Sequence, residues 1–202
     1  MKGYYFITDS LLSKNGNLND CKNAINAGVE TIQYRSKNKN SFEMYEEAKT
    51  LKEICKKTNF IINDRIDIAL AINADGVHLG QKDLPYKIAR KLLGNNKIIG
   101  ISVSSIEEAE TAYNVGASYL GVGPIFMTST KSDAEKPVGL ELIKEIKKKF
   151  DSKIPIVAIG GINLENAKDV IFAGADSICA ISDVVTKCDV KKEIKKYQEL
   201  FR

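Results

Sequence analysis

Short apolar runs alternate along this chain with longer stretches in which apolar residues recur at helical spacing. The runs at residues 4–8, 31–34, 60–63, 77–79, 98–103, 119–122, 154–159 and 177–181 are nearly continuous in apolarity and rich in β-branched residues. That is the pattern of strands buried on both faces. Between them, Asn40-Ser41-Phe42-Glu43 and Ser105-Ile106-Glu107-Glu108 have the spacing of capping boxes, and Asn163 is placed to cap a helix reaching Phe172. Residues 141–150 and 189–201 carry apolar positions at helical spacing with lysines opposite. A four-residue signature of a helix ending and a strand beginning occurs four times: Ala27-Gly28-Val29-Glu30, Asn73-Ala74-Asp75-Gly76, Val115-Gly116-Ala117-Ser118 and Ala173-Gly174-Ala175-Asp176. In three copies the glycine is placed to take the left-handed conformation that closes a helix, whereas the copy at Asn73 carries its glycine two residues later. Eight strands, each followed by a helical stretch, predict a parallel α/β sheet. Eight units favour closure into a compact (β/α)8 TIM barrel, one catalytic domain over residues 1–202, with a doubly wound open sheet as the alternative.

Composition narrows the function. The 202 residues are 44% hydrophobic and 28% charged, with a net charge of +4 and both signs mixed throughout. No basic stripe with interleaved aromatics suggests nucleic acid, and no apolar run approaches the 18 or so residues of a membrane span. The start, Met1-Lys2-Gly3-Tyr4, meets polar residues too soon for a secretory signal. Cys21, Cys55, Cys179 and Cys188 form no CxxC pair and read as thiols in a reducing, cytoplasmic setting. The residues themselves leave oligomeric state open.

In a barrel of this kind the active site lies at the C-terminal strand ends. Those positions hold Gln33, Arg35 and Lys37 after the second strand, Asn63 and Asp64 after the third, and Asp83 beyond the fourth. Ser102 lies on the fifth strand, and Thr128, Ser129, Thr130 and Lys131 follow the sixth. Two carboxylates, Asp64 and Asp83, among the cations Arg35, Lys37 and Lys131 suit a magnesium-bound pyrophosphate, because Mg²⁺ takes one or two carboxylates and completes its shell with phosphate oxygens and water. Only four of the 30 basic residues are arginine, so an arginine at 35 suggests that bidentate geometry matters there. Gly160-Gly161 after the seventh strand, with Ile181 and Ser182 after the eighth, suggest a second anion site, and two anion sites imply two phosphorylated substrates. The single histidine, His78, reads as a hydrogen-bonded core residue rather than a catalytic one. No nucleophilic triad, zinc cluster, dinucleotide fingerprint or P-loop is present. What remains is chemistry driven by a departing pyrophosphate. The polar stretch from Thr128 to Val138 reads as a lid that excludes water from a reactive cation.

With these residues in view, the chain resembles the thiamine-phosphate synthase (thiamine-phosphate pyrophosphorylase) family from Tyr4 to Ser182. The resemblance rests on Gln33-x-Arg35-x-Lys37, Asn63-Asp64-Arg65-x-Asp67, Gly76-Val77-His78-Leu79-Gly80-Gln81-x-Asp83, Gly121-x-Gly123-Pro124-Ile125-Phe126-x-Thr128-x-Thr130-Lys131 and Ala158-Ile159-Gly160-Gly161-Ile162. It implies a barrel transferase that joins hydroxymethylpyrimidine pyrophosphate to a thiazole phosphate, with Mg²⁺ held by Asp64 and Asp83. Carried over by position, Gln33, Arg35, Lys37, Asn63, Ser102 and Lys131 hold the pyrimidine pyrophosphate. Thr128 and Thr130, with Gly161, Ile181 and Ser182, surround the thiazole phosphate, and Ser129 is a further substrate-binding candidate. Lys131, Arg35 and Ser102 are then the candidate catalytic residues. The implied mechanism is dissociative: pyrophosphate leaves a pyrimidine-stabilised carbocation, which the thiazole nitrogen captures. Ser36, Met127 and Ser104 depart from the family pattern without removing a proposed ligand. The alternatives are a thiazole tautomerase of the same fold and a catalytically silent phosphate-binding regulatory barrel. The tautomerase is disfavoured by the presence of both carboxylates and by Gly123-Pro124, with no histidine, at the end of the sixth strand.

Overall fold

The computed structural model describes residues 1–128 and 136–202. The chain opens with β1 (Gly3–Tyr4) and β2 (Phe6–Ile7), followed by α1 (Asn17–Asn26), β3 (Thr31–Tyr34) and α2 (Ser41–Ile54). It continues with β4 (Asn59–Asn63), α3 (Ile66–Ala71), β5 (Gly76–Leu79), α4 (Tyr86–Leu93), β6 (Ile98–Val103) and α5 (Ile106–Val115). The last third holds β7 (Tyr119–Val122), α6 (Glu141–Lys149), β8 (Ile156–Ile159), α7 (Ala167–Phe172), β9 (Ser177–Cys179), α8 (Ile181–Val185) and α9 (Val190–Glu199).

All strand pairings are parallel, and consecutive strands from β3 to β9 are neighbours. The first expected strand is the one that divides. Its first half pairs with β9, Gly3 opposite Ser177, and its second half pairs with β3, Phe6 opposite Ile32. The two sheet edges therefore meet across Tyr5, and the barrel is closed but for that joint. The expected (β/α)8 architecture is the observed one, and the open sheet is excluded by the β1–β9 pairing.

Three boundaries differ from the pattern's expectation for physical reasons. The strand at 154–159 begins at Ile156, beyond Pro155, which has no N–H for the ladder. The run at 177–181 leaves the sheet after Cys179 and turns into α8. Its apolarity continues because Val184 and Val185 are buried in turn, so periodicity alone hides the change. Asn163 does cap, its Oδ1 accepting from the N–H groups of Glu165 and Asn166, but regular helix starts only at Ala167. The box at Asn40 is complete. At Ser105 only half forms, because the Glu108 carboxylate is taken by the N–H and hydroxyl of Ser104.

The repeated signature has a common structural role. Gly28, Gly116 and Gly174 all take positive φ, and in the deviant copy Asn73 does so itself, at +52°. The last residue before each of β3, β5, β7 and β9 reaches back to the start of the preceding strand of the barrel. Asp75 Oδ2 accepts from Phe60 N–H at 2.7 Å, Asp176 Oδ2 from Ile156 N–H at 2.8 Å, Ser118 Oγ from Ile99 N–H at 3.0 Å and Glu30 Oε2 from Lys2 N–H at 3.3 Å. Lys52 and Lys147 each lie 2.6 Å from the Asp75 and Asp176 carboxylates. These clamps ring the N-terminal end of the barrel.

Two apolar layers result. The larger lies between the sheet and the helices and includes Phe60, Ile62, Leu120, Ile143 and Ile194. The smaller lies inside the barrel, where Tyr5, Ile7, Tyr119, Val157 and Cys179 pack together. Room for the interior rings comes from glycine: a Cβ at Gly100 would overlap the Tyr119 ring, and one at Gly121 would collide with His78. The interior fill thus stops at a floor of aromatic and polar groups, above which the barrel is hollow.

Candidate active site

A cavity of about 340 Å³ opens at the C-terminal strand ends, within the size range of small-molecule sites. Gln33, Arg35, Lys37, Asn63, Asp64, Asp83, Ser102, Thr128, Gly161, Ile181 and Ser182 all line it. Residues on seven different barrel strands or their loops thus converge as the pattern expected. Ser129, Thr130 and Lys131 lie outside the described residues, as does most of the expected lid between Thr128 and Val138.

One wall is ionic. The Arg35 guanidinium meets the buried Asp9 carboxylate at 3.1 Å through Nη1. Asp9 is in turn fixed by the N–H groups of Leu11 and Leu12. Thr8 and Arg35 exchange two further bonds through the Thr8 hydroxyl. One arm of the guanidinium is therefore anchored, which orients the remainder as a rigid fork. Lys37 Nζ lies 2.8 Å from Asp64 Oδ2. Asp64, at the end of β4, adopts φ +61°, a left-handed conformation that Asp tolerates and that often marks functional positions. Its N–H is held by the His78 carbonyl at 2.9 Å.

Asp83 faces Asp64 from the next loop, its Oδ2 accepting from Gly80 N–H at 2.6 Å. Burial, with the neighbouring Asp64 carboxyl, pushes the Asp83 carboxyl above its ordinary value, against the pull of the Gly80 N–H and the Lys37 charge. Two carboxylates held side by side in this way are an oxygen-only donor set whose mutual repulsion the Lys37 charge offsets only in part. Among the described residues no group of three or more His, Cys, Asp or Glu could hold a metal. An Mg²⁺ ion fits this pair, since it binds through one or two carboxylates and draws its other ligands from phosphate and water.

The opposite wall is backbone. Gly160 and Gly161 take φ +101° and +63°, and a side chain at either would strike the loop that follows β7. Ile125 and Phe126 N–H groups bond the carbonyls of Ile159 and Gly160, while Asn166 Nδ2 holds the Gly161 carbonyl at 3.0 Å. Thr128, Ile181 and Ser182 line the same side.

The floor holds residues that the sequence pattern passed over. Tyr5, Tyr119, His78 and Cys179 all line the cavity, although the first two sit in runs read as plain strand. The available signal was the tyrosines themselves, whose hydroxyls need partners inside a barrel. His78 is hydrogen-bonded, to Tyr119 and Ser102, as expected of a packed histidine, but it is packed at the cavity's floor. Asp9 was also missed. Arg65, by contrast, turns aside to Asp67 and Ser41.

A parallel barrel with an open cavity at its C-terminal strand ends, an oxygen-donor pair and cations on one wall and a glycine-backbone turn on the other, has the build of a barrel enzyme that acts on small molecules. A family profile described as thiamine monophosphate synthase matches residues 4–184. The chain belongs to that family, and it is by that membership an enzyme, a transferase of thiamine biosynthesis. It is 52% identical over 200 residues to a thiamine-phosphate synthase of Methanosarcina barkeri, covering 98% of this chain and 90% of the relative. It is 50% identical over 194 residues to a thiamine-phosphate synthase of Clostridium acetobutylicum, covering 95% and 90%. The solved structure of a thiamine phosphate pyrophosphorylase from Pyrococcus furiosus superposes with a TM-score of 0.89 at 41% identity, over 98% of this chain and 95% of that one.

Proposed function

We propose that this chain condenses 4-amino-2-methyl-5-hydroxymethylpyrimidine pyrophosphate with a thiazole phosphate, giving thiamine phosphate and pyrophosphate. The observation that carries this reading is the pairing of Asp64 and Asp83 beside Arg35 and Lys37 in one cavity, opposite the Gly160-Gly161 turn. Asp64 and Asp83 would hold Mg²⁺, which when bound neutralises charge on the departing pyrophosphate. Arg35, braced by Asp9, grips that pyrophosphate, and Lys37 supplies a movable charge next to it. Gln33, Asn63 and Ser102 hold the pyrimidine. Thr128, Gly161, Ile181 and Ser182 hold the thiazole phosphate in line with the reacting carbon, with Thr130 and Ser129 as further candidates next in sequence. Lys131, with Arg35 and Ser102, completes the catalytic set.

The step is dissociative. The C–O bond to pyrophosphate breaks, its electron pair leaves with the pyrophosphate, and the cation left on the pyrimidine methylene accepts the lone pair of the thiazole nitrogen. No general base is required, which agrees with a cavity whose one histidine is engaged on both ring nitrogens. Holding both partners in line supplies much of the acceleration.

The reading includes a cytoplasmic location, supported by four cysteines without a disulfide. Among the described residues no helix is long and apolar enough to cross a membrane. The test is to incubate the protein with both substrates, with and without Mg²⁺, and follow pyrophosphate and thiamine phosphate together. Magnesium-dependent formation of both is the expected result. Pyrophosphate alone would mean the second substrate is wrong, and neither product would refute the reading.

A further inference from the structure

Five side chains form one hydrogen-bonded line across the cavity floor. Gln33 Nε2 donates to Tyr5 Oη at 3.0 Å, and Tyr5 Oη and Tyr119 Oη lie 2.7 Å apart. Tyr119 Oη meets His78 Nδ1 at 2.9 Å, and His78 Nε2 meets Ser102 Oγ at 2.8 Å. The residues come from β3, the joint of the first strand, β7, β5 and β6, so only the closed barrel assembles them. The Tyr119 ring lies between those of Tyr5 and His78, at centroid distances of 5.7 and 5.4 Å.

Each internal member of the line carries a single hydrogen when neutral. Burial raises the Tyr5 and Tyr119 hydroxyls far above their ordinary value, so both keep theirs. When every link carries a hydrogen and each internal member spends its own within the line, it runs in one of two directions, all links together. With the Gln33 amide N–H on Tyr5, Tyr5 donates to Tyr119, Tyr119 donates to His78 Nδ1, and His78 Nε2–H donates to Ser102. A doubly protonated imidazole does not fit: Nδ1–H would reverse both tyrosines and bring the Tyr5 hydrogen onto the Gln33 N–H. At the two ends, the Ser102 hydroxyl then keeps its own hydrogen to donate into the cavity, and Gln33 keeps its carbonyl oxygen to accept.

We infer that this line sets the polarity of the pyrimidine subsite, with Tyr5, Tyr119 and His78 acting as positioning residues that make Ser102 a donor and Gln33 an acceptor. The inference rests on the proposed function. A 4-aminopyrimidine ring presents an amino donor and a ring-nitrogen acceptor, the complement of these two ends. The corresponding 4-oxo ring presents a carbonyl and a ring N–H, the inverse pattern, and is rejected because its carbonyl would face the Gln33 carbonyl and its N–H the Ser102 hydroxyl hydrogen.

His78 is the only histidine in the chain, so its ring gives one unambiguous set of nitrogen signals. Long-range ¹⁵N–¹H correlation on the substrate-free protein is expected to show a single neutral tautomer protonated at Nε2, with Nδ1 as acceptor. Protonation at Nδ1, or a mixture, overturns the inference, because the line would then run the other way or in both. The second arm is a double-mutant cycle. Tyr119→Phe is expected to lower kcat/KM for the pyrimidine pyrophosphate roughly tenfold, about the value of one hydrogen bond. In a Ser102→Ala background the same change is expected to cost less than about twofold, because its effect passes through Ser102. Tyr5→Phe, one link further away, follows the same dependence with a smaller loss. Additive losses would reduce the tyrosines to packing and sink the inference while leaving the synthase reading intact. Absence of thiamine phosphate from the wild-type protein would refute that reading, and the nitrogen spectrum would still report the direction of the line.

Discussion

The two rims of the barrel are built on opposite rules. At the N-terminal rim one device recurs at every second strand: Glu30, Asp75, Ser118 and Asp176 each accept a backbone N–H from the strand before. Glu30, Asp75 and Asp176 also bond the strand after through their own carbonyls, which accept from Asn59, Ile98 and Gly3 N–H. At the C-terminal rim no such contact repeats from strand to strand. Asp64 stands at one strand end, Ser102 on another and a glycine pair at a third, and each meets the same cavity from its own direction. A repeated contact answers a repeated need, the closing of each strand pair, whereas a substrate has no fourfold symmetry and needs a different group from each side. Repetition therefore marks the stabilising rim, and its absence marks the working one.

This contrast predicts opposite signatures for substitution at the two ends. The largest effect is expected at the carboxylate pair. Asp64→Asn or Asp83→Asn should lower turnover by about 10²-fold or more while leaving thermal midpoints nearly unmoved, since Asn tolerates the left-handed backbone at 64, its amide oxygen can accept the Gly80 N–H at 83, and either change relieves the repulsion. Steady-state assays across Mg²⁺ concentrations, paired with calorimetry, read both. Near-normal turnover in both variants would end the metal assignment. Next is Arg35→Lys, which keeps the charge but loses the fork braced by Asp9. A drop of about 10-fold to 100-fold in kcat/KM is expected, and wild-type kinetics would reduce Arg35 to a plain charge.

At the other rim the order reverses. Asp75→Ala and Asp176→Ala each strip the acceptor from a strand-starting N–H and the partner from a lysine. About 1–3 kcal/mol of stability should be lost, which lowers the melting temperature by several degrees in a chain of this size, with kcat unchanged. A fall in kcat at constant fold would mean that the lower rim reaches the site. Ser118→Ala, which loses one neutral bond, should cost about 1 kcal/mol. Glu30→Ala should be indistinguishable from wild type in chemical denaturation, because its side chain is 61% exposed, its bond from Lys2 N–H is long at 3.3 Å and its ion pair with the Met1 amino group spans 4.0 Å.

Much of this was legible in the order of residues. The four strand-opening signatures were visible as a repeat, and their spacing predicted a parallel sheet wound with helices. The strand-end positions of Gln33, Arg35, Asp64, Asp83, Ser102 and Gly161 then followed from the rule that such barrels work at one end. The pattern was silent where a residue's chemistry is hidden by its setting. Tyr5 and Tyr119 lie in apolar runs and read as filler, and only a neighbour from a strand more than a hundred residues away turns their hydroxyls into links. Asp9, one residue past the first apolar run, carries no local sign of the Arg35 guanidinium that the fold sets upon it.

The sequence by itself determined the alternation of buried strands with helical stretches, and most of the polar side chains that lie at the working end. These follow from local periodicity, capping and turn chemistry, which act over a few residues. Only the tertiary structure decided that the first strand divides at Tyr5 to join both edges of the sheet. It alone set Asp64 against Asp83, and ran Gln33, Tyr5, Tyr119, His78 and Ser102 into one line. Those facts depend on closure, because hydrogen bonds and repelling charges act over a few ångströms in space, and no pattern along the chain records which distant residues the barrel will bring that close.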